Sequence, residues 1–183
     1  MFSSLNGIEY SLLIQLHNAV GSSFLDTAMP YVSEMGNLGA IWIIFSLILI
    51  ANRKYRHIGV MCLAAVLLTT AIGEGILKNI VQRPRPFLQF ASIQPLIPEP
   101  SSFSFPSGHT GSSFAAATVI ARKFKKAALP ALTIAAVIAF SRLYVMVHYP
   151  SDVLGGIILG ITCAICAEIL VRKYLVRKEM KQI

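Results

Sequence analysis

The stretch IGVMCLAAVLLTTAIGEGIL, residues 58–77, carries a single charged side chain, Glu74. A helix needs about 20 predominantly apolar residues to cross the hydrocarbon of a bilayer, so this stretch predicts a membrane-spanning helix. Two others read the same way: residues 127–147, with Arg142 as their only charge, and residues 153–171, with only Glu168. Residues 38–51 and 110–121 are shorter and reach spanning length with their uncharged flanks. Composition agrees, since 55% of the 183 residues are hydrophobic, 13% are charged and the mean hydropathy is +0.67. So much apolar surface excludes a disordered chain, and 3 Cys are too few for a disulfide-stapled secreted scaffold. The expected fold class is all-α: a polytopic membrane helical bundle of five to six transmembrane helices, one membrane-embedded domain over residues 1–183.

Residues 1–36 admit two readings. Leu5, Ile8, Leu12, Leu13 and Leu16 recur at helical spacing with Ser11, Gln15 and Asn18 on the other face, which fits an interfacial helix. An extra crossing between residues 8 and 35 fits equally. A cleavable signal peptide is not expected, because no Lys or Arg cluster opens the chain and Glu9, Gln15 and His17 interrupt the apolar pattern. Cys62, Cys163 and Cys166 lie in apolar stretches and are expected to be small buried residues without a disulfide role. The CxxC of Cys163 and Cys166 has no second ligand pair, so no metal is expected there. Gly156 and Gly160, four apart, fit a dimer face or close helix packing inside one subunit, and the second is the expected use.

The formal charge of +8 is distributed as punctuation between apolar stretches, which excludes a nucleic-acid partner and names the lipid bilayer instead. Arg53, Lys54 and Arg56 share one connection, Arg122, Lys123, Lys125 and Lys126 another, and Arg172, Lys173, Arg177, Lys178 and Lys181 the tail. These groups alternate with the spans as the positive-inside bias requires of cytoplasmic segments. Residues 78–109 and the connection near His148 then face the opposite, extracytoplasmic side of a cell membrane crossed several times. Lys78, Arg83, Arg85 and Arg142 break the bias. Cations at such helix ends are costly unless something anionic or functional holds them.

Three polar clusters fall on that side. Residues 78–109 hold six of the nine prolines and predict a long ordered loop, with the preceding helix ending before Pro84. Within it Glu74 and Lys78, four apart, share a helix face and can pair, while Arg83 and Arg85 bracket a proline and suit bidentate contacts to phosphate or carboxylate. Ser107, in Phe105-Pro106-Ser107-Gly108-His109, is a natural helix N-cap, and the Ser107 and Gly108 amides are expected free to bind an anion. In the third cluster, Ser141-Arg142 to Asp152, Pro150 starts a helix, so His148 lies in a tight connection. Asp152 in the first turn can reach one imidazole nitrogen of His148, fix its tautomer and leave the other nitrogen as a nucleophile.

Lys78 with Arg85-Pro86, then Pro106-Ser107-Gly108-His109, then Ser141-Arg142, His148 and Asp152 resemble the three motifs of the type 2 phosphatidic acid phosphatase (PAP2) family of membrane lipid phosphatases. That family shares its site with vanadium haloperoxidases, so the resemblance implies a PAP2/haloperoxidase-like helical core. The match spans residues 78–152, and residues 1–36 contribute nothing to it. The resemblance implies metal-independent phosphoryl transfer, with no metal site and no cofactor. His148 would be the nucleophile, Asp152 its stabiliser and His109 the acid and then the base. Lys78, Arg85, Ser107, Gly108 and Arg142 would bind the phosphate. Arg83 lies off the motif and is expected to matter less.

A phosphate site at helix ends suits a membrane lipid phosphate, and undecaprenyl diphosphate, phosphatidylglycerophosphate and phosphatidic acid all qualify. The short chain and outward site most resemble the small enzymes that act on undecaprenyl diphosphate. An anion transporter would place cations at several depths and often shows inverted repeats, and neither is visible. A member that only binds lipid is disfavoured by the intact His109, His148 and Asp152. The oligomeric state is left open by the sequence.

Overall fold

The computed structural model describes the backbone of residues 3–180 and the side chains of residues 4–174. The side chains of Arg177 and Lys178, and Lys181 altogether, lie outside the described residues. Among those residues there is no strand; the elements are α1 (Ser3–Val20), α2 (Ser23–Met35), a 3-10 turn (Asn37–Gly39), α3 (Ala40–Ala51), α4 (Arg56–Thr70), a π-helical segment (Ala71–Leu77), α5 (Lys78–Val81), α6 (Pro86–Gln89), α7 (Gly108–Lys123), α8 (Lys125–Tyr144) and α9 (Pro150–Met180).

Local chemistry explains the boundaries. Ser22 caps α2 by accepting from the Leu25 amide. The chain runs helically from Arg56 through the π segment to Val81, then stops where Gln82 turns left-handed ahead of Pro84. The proline-rich loop is therefore shorter than expected: irregular backbone, broken by α6, runs only from Gln82 to Ser107. Ser107 caps α7 through its hydroxyl, and Pro150 opens α9.

Arg56–Gln89, Lys125–Tyr144 and Pro150–Tyr174 are long and apolar enough to cross a membrane. Residues 38–51 and 110–121, expected to reach spanning length with their uncharged flanks, are not long enough as single helices: α7 has 16 residues and α3 has 12, about 18 Å of helix at ~1.5 Å per residue. It reaches spanning length only together with α2, across a 46° bend at Gly36–Gly39. Leu38 and Gly39 both have positive φ there, and the glycine takes up that conformation without steric cost.

The short helix α7 is the centre of the bundle and packs against α4, α8 and α9. Its buried face is built from small side chains, among them Gly111, Ser113, Ala115, Ala116 and Ala117, so neighbouring backbones approach closely. A Cβ at Gly156 would lie 2.7 Å from the Ser107 carbonyl oxygen, and one at Gly160 2.9 Å from the Ala115 amide. The two glycines thus serve packing within the subunit. Trp42, Met61, Val66, Ile120 and Ile138 fill the remaining core, while Ile44, Leu67, Leu129, Leu154 and Ile158 are exposed, as lipid-facing side chains are. Cys62 and Cys163 are buried as expected; Cys166 is exposed, because its position on α9 turns away from the packed face.

The bundle has two polar ends. At one, Glu168 accepts from Arg122 at 2.8 Å and from Lys123, tying the last turn of α7 to α9. Asp152 is sixteen residues earlier on α9, about 24 Å away along the helix. The candidate site occupies that other end.

Candidate active site

Four pieces of chain bring basic side chains to this end. Lys78 follows the π segment, Arg85 precedes α6, Arg142 ends α8, and His148 sits in the connection from α8 to α9. All four line a cavity of about 740 Å³, together with Gly108 and His109 at the start of α7. Lys78 is buried, pairs with Glu74 at 2.8 Å as its spacing predicted, and donates to the Ser102 hydroxyl at 2.9 Å.

Arg85 is held by its own loop. Its Nε donates to the Ser102 carbonyl at 2.7 Å and its Nη1 to the Val147 carbonyl at 2.9 Å, which brings Nη1 to 3.2 Å from His148 Nε2. Arg142 donates through Nη1 to the Ser33 hydroxyl, while its Nε is buried with no hydrogen-bond partner among the described residues. A buried charged donor without a partner costs several kcal/mol unless an acceptor is supplied. Neither Arg85 nor Arg142 forms an ion pair among the described residues, so both leave positive charge at the cavity wall.

His148 is almost wholly buried. Its Nδ1 faces Asp152 Oδ2 at 3.5 Å, and its Nε2 faces Arg85. Burial, reinforced by Arg85 and Arg142, pushes the imidazole down to about 3 against the pull of Asp152. It is therefore neutral near pH 7, with a lone pair available. Asp152, fully buried, also accepts from the Ser104 hydroxyl at 2.5 Å, the Tyr149 amide at 2.9 Å and Arg83 Nη1 at 2.6 Å. On the other wall, His109 Nε2 donates to the Asn37 side-chain oxygen at 2.8 Å.

Ser107 departs from expectation in part. Its amide is not free for an anion, since it donates to the Asp152 carbonyl at 3.0 Å, a bond that the close approach of α7 to α9 at Gly156 permits. Its Oγ accepts from Thr110 Oγ1 at 2.9 Å and keeps its own hydrogen to donate. The Gly108 backbone remains at the cavity wall.

Sequence reasoning missed a second tier of residues. Arg83, placed off the motif, is 1% exposed and joins Asp152 to Glu9, Asn6 and Ser151. Ser33 and Asn37, from α2 and the turn after it, orient Arg142 and His109. An acidic residue inside an apolar N-terminal helix was the available signal, because intramembrane carboxylates need partners. Among the described residues no group of three or more His, Cys, Asp or Glu side chains is placed to hold a metal ion.

The sequence model of the PAP2 superfamily matches residues 59–175, well over half of the chain. The chain belongs to the PAP2 superfamily. It is a lipid phosphatase of that family, and its fold is the family's. An undecaprenyl-diphosphatase of Sulfolobus acidocaldarius is 30% identical over 149 residues, 81% of this chain and 71% of the relative. Phosphatidylglycerophosphatase B of Bacillus subtilis is 41% identical over a shorter stretch of 97 residues, 47% of this chain and 45% of the relative. The crystal structure of Aquifex aeolicus LpxE superposes with a TM-score of 0.75 at 28% identity, covering 86% of this chain and 92% of that one. The PAP2 match includes every motif residue from Lys78 to Asp152 and leaves out α1, α2 and α3, the first two of which carry Glu9 and Ser33.

Proposed function

We propose that this PAP2 protein removes phosphate from a membrane lipid phosphate or diphosphate at the extracytoplasmic face of the cell membrane, through a phosphohistidine on His148. The observation that carries this reading is the neutral His148, fixed between Asp152 and Arg85, in a cavity that Arg142 lines with an unpartnered Nε. The Nε2 lone pair attacks phosphorus and forms an N–P bond while the P–O bond to the lipid leaving group breaks. His109 gives its proton to that oxygen. The Nδ1–H stays towards Asp152, which offsets the positive charge of the phosphorylated ring.

In the second step His109 takes a proton from water, the water oxygen attacks phosphorus, the N–P bond breaks and its electron pair returns to Nε2. Lys78, Arg85 and Arg142, with the Ser107 hydroxyl and the Gly108 amide, hold the phosphoryl oxygens as charge moves between them. No metal or cofactor enters this scheme, because side-chain cations supply the charge. The connections rich in Lys and Arg lie at the Glu168 end of the bundle, which supports an outward-facing site. The whole of residues 1–183 acts as one membrane-embedded unit, with the N-terminal helices contributing to the site.

The cavity rim includes Leu38, Leu96, Ile97 and Pro98, apolar surface for a chain that stays in the bilayer. We take undecaprenyl diphosphate as the substrate, a reading supported by the likeness to undecaprenyl-diphosphatase over most of the chain. The higher identity to phosphatidylglycerophosphatase B over 97 residues favours phosphatidylglycerophosphate as the second reading. The test is phosphate release by the purified protein in detergent with EDTA present, offering both lipids and phosphatidic acid, beside a His148→Ala control. Release that persists with EDTA and disappears in the control is expected, fastest with the diphosphate. Folded protein that releases nothing from any of the three would overturn the reading.

A further inference from the structure

The network behind Asp152 has a feature the catalytic scheme does not use. Arg83 Nη2 donates to Glu9 Oε2 at 2.5 Å, and its Nη1 donates to both Ser151 Oγ and Asp152 Oδ1 at 2.6 Å. Its Nε and Nη2 both reach Asn6 Oδ1, and its guanidinium lies 4.1 Å from the centre of the Tyr149 ring. Glu9 returns to the same place, accepting from the Ser151 amide at 2.6 Å and the Ser151 hydroxyl at 2.9 Å. Glu9, Arg83 and Asp152 are all buried.

Two buried carboxylates thus share one guanidinium among the described residues. A buried carboxylate is costly unless paired and hydrogen-bonded, and here Glu9 and Asp152 draw on the same guanidinium. This cluster meets the site at the Asp152–His148 pair. At 3.5 Å the Asp152 oxygen is too far from Nδ1 for a strong hydrogen bond, so its field and its exact aim decide how well it stabilises a cationic ring. The other charged or titratable groups facing His148 are Arg85, Arg142 and His109, and each of them disfavours the cation. Asp152 opposes them.

We propose that Glu9 and Arg83 are positioning residues of the phosphatase reaction: α1 is clipped onto the start of α9 so that Asp152 is aimed at His148 and the excess negative charge of the cluster favours the phosphorylated imidazolium. This rests on the phosphohistidine reading above. Neither residue touches substrate; both act through Asp152. The PAP2 family match covers residues 59–175 and so does not include Glu9.

Glu9→Gln is the informative variant, because it keeps the shape of the side chain and one acceptor oxygen while removing the charge and one of the two oxygens that accept from Arg83 and Ser151. The readouts are kcat and KM for lipid-phosphate hydrolysis and the inhibition constant of orthovanadate, which takes the five-coordinate shape of the transferring phosphoryl group. Expected are a fall in kcat of about tenfold, KM within about twofold, and vanadate binding weaker by about tenfold, since a small misalignment near a nucleophile costs up to about 10²-fold. Arg83→Lys, which keeps the charge but cannot span Glu9 and Asp152 together, is expected to lower kcat and weaken vanadate binding in the same sense, and it stands in if Glu9→Gln fails to fold. A purely structural clip would lower the folded fraction while leaving KM and vanadate inhibition of the folded enzyme unchanged. That outcome, or wild-type kcat in Glu9→Gln, overturns the proposal. If the wild-type protein shows no His148-dependent release, the phosphatase reading itself fails, which is a separate result.

Discussion

Arg142→Lys isolates the value of a planar, forked cation in this cavity. Arg142 is 2% exposed, with Nη1 fixed on the Ser33 hydroxyl and Nε buried without a partner at the end of α8. A lysine keeps the unit charge, so long-range attraction of the substrate survives. It loses the rigid fork, and with it either the Ser33 anchor or the second donor to the phosphoryl group. One hydrogen bond to a charged group contributes about 1.5–3 kcal/mol. At ~1.4 kcal/mol per decade of rate, that corresponds to a fall in kcat/KM of about 10- to 150-fold. Phosphate release with varied lipid concentration in detergent gives kcat/KM directly, and a thermal melt confirms that the variant is folded. Ser33→Ala, which frees Nη1 without touching the charge, is expected to show a smaller loss in the same direction. If Arg142→Lys stays within about twofold of wild type, Arg142 acts only as a point charge and the role of its fork is refuted.

Three further outcomes are expected. Asp152→Asn removes the carboxylate behind His148, and kcat is expected to fall on the order of 10³-fold with the protein still folded, as for other orienting carboxylates; a loss under tenfold would remove Asp152 from the mechanism. Gly160→Val places side-chain atoms against the backbone of α7 near Ala115 and is expected to destabilise by about 1–3 kcal/mol, read as a lower melting temperature; an unchanged melt would contradict the close packing of α7 on α9. His148 is held neutral in the folded protein down to about pH 3, below its ordinary 6.5. The unfolded chain therefore binds the extra proton first, so this contribution to stability is whole above pH 6.5 and is lost as pH falls from 6.5 towards 3. Melting temperature against pH for wild type and His148→Gln checks this, and parallel curves for the two would refute it.

The motif side chains were legible because each is an expensive group in an apolar setting. Lys78, Arg85, Arg142, His109, His148 and Asp152 stand out against the hydrophobic runs that flank them, and the structure brings all six to one end of the bundle. The long apolar stretches 58–77 and 153–171 became helices throughout, and 127–147 as far as Tyr144, for the same reason. What sequence could not supply was the partner of a charge far away along the chain. Hydrophobic pattern says that Glu9 is costly in α1, but pairing it with Arg83, 74 positions away, is a tertiary fact. Ser33 and Asn37 are ordinary polar residues by type, and the packing of α2 on α8 and of the following turn on α7 brings them to Arg142 and His109. The Ser107 amide was assigned to the ligand from local capping rules, which do not know that α9 supplies a carbonyl first.

The π segment at Ala71–Leu77 fixes the rotational phase of everything that follows it. Its wider turns absorb residues that an α-helix of the same length would not, so Glu74 and Lys78 reach the cavity from a helix whose earlier face, at Met61 and Val66, packs in the core. If these seven residues relaxed to regular α-helix with no change of length, Lys78 would turn by about 100° relative to Met61. The core would be satisfied and the phosphate site dismantled. The wide turns, and not the side chains alone, thus set which face of this helix meets the phosphate.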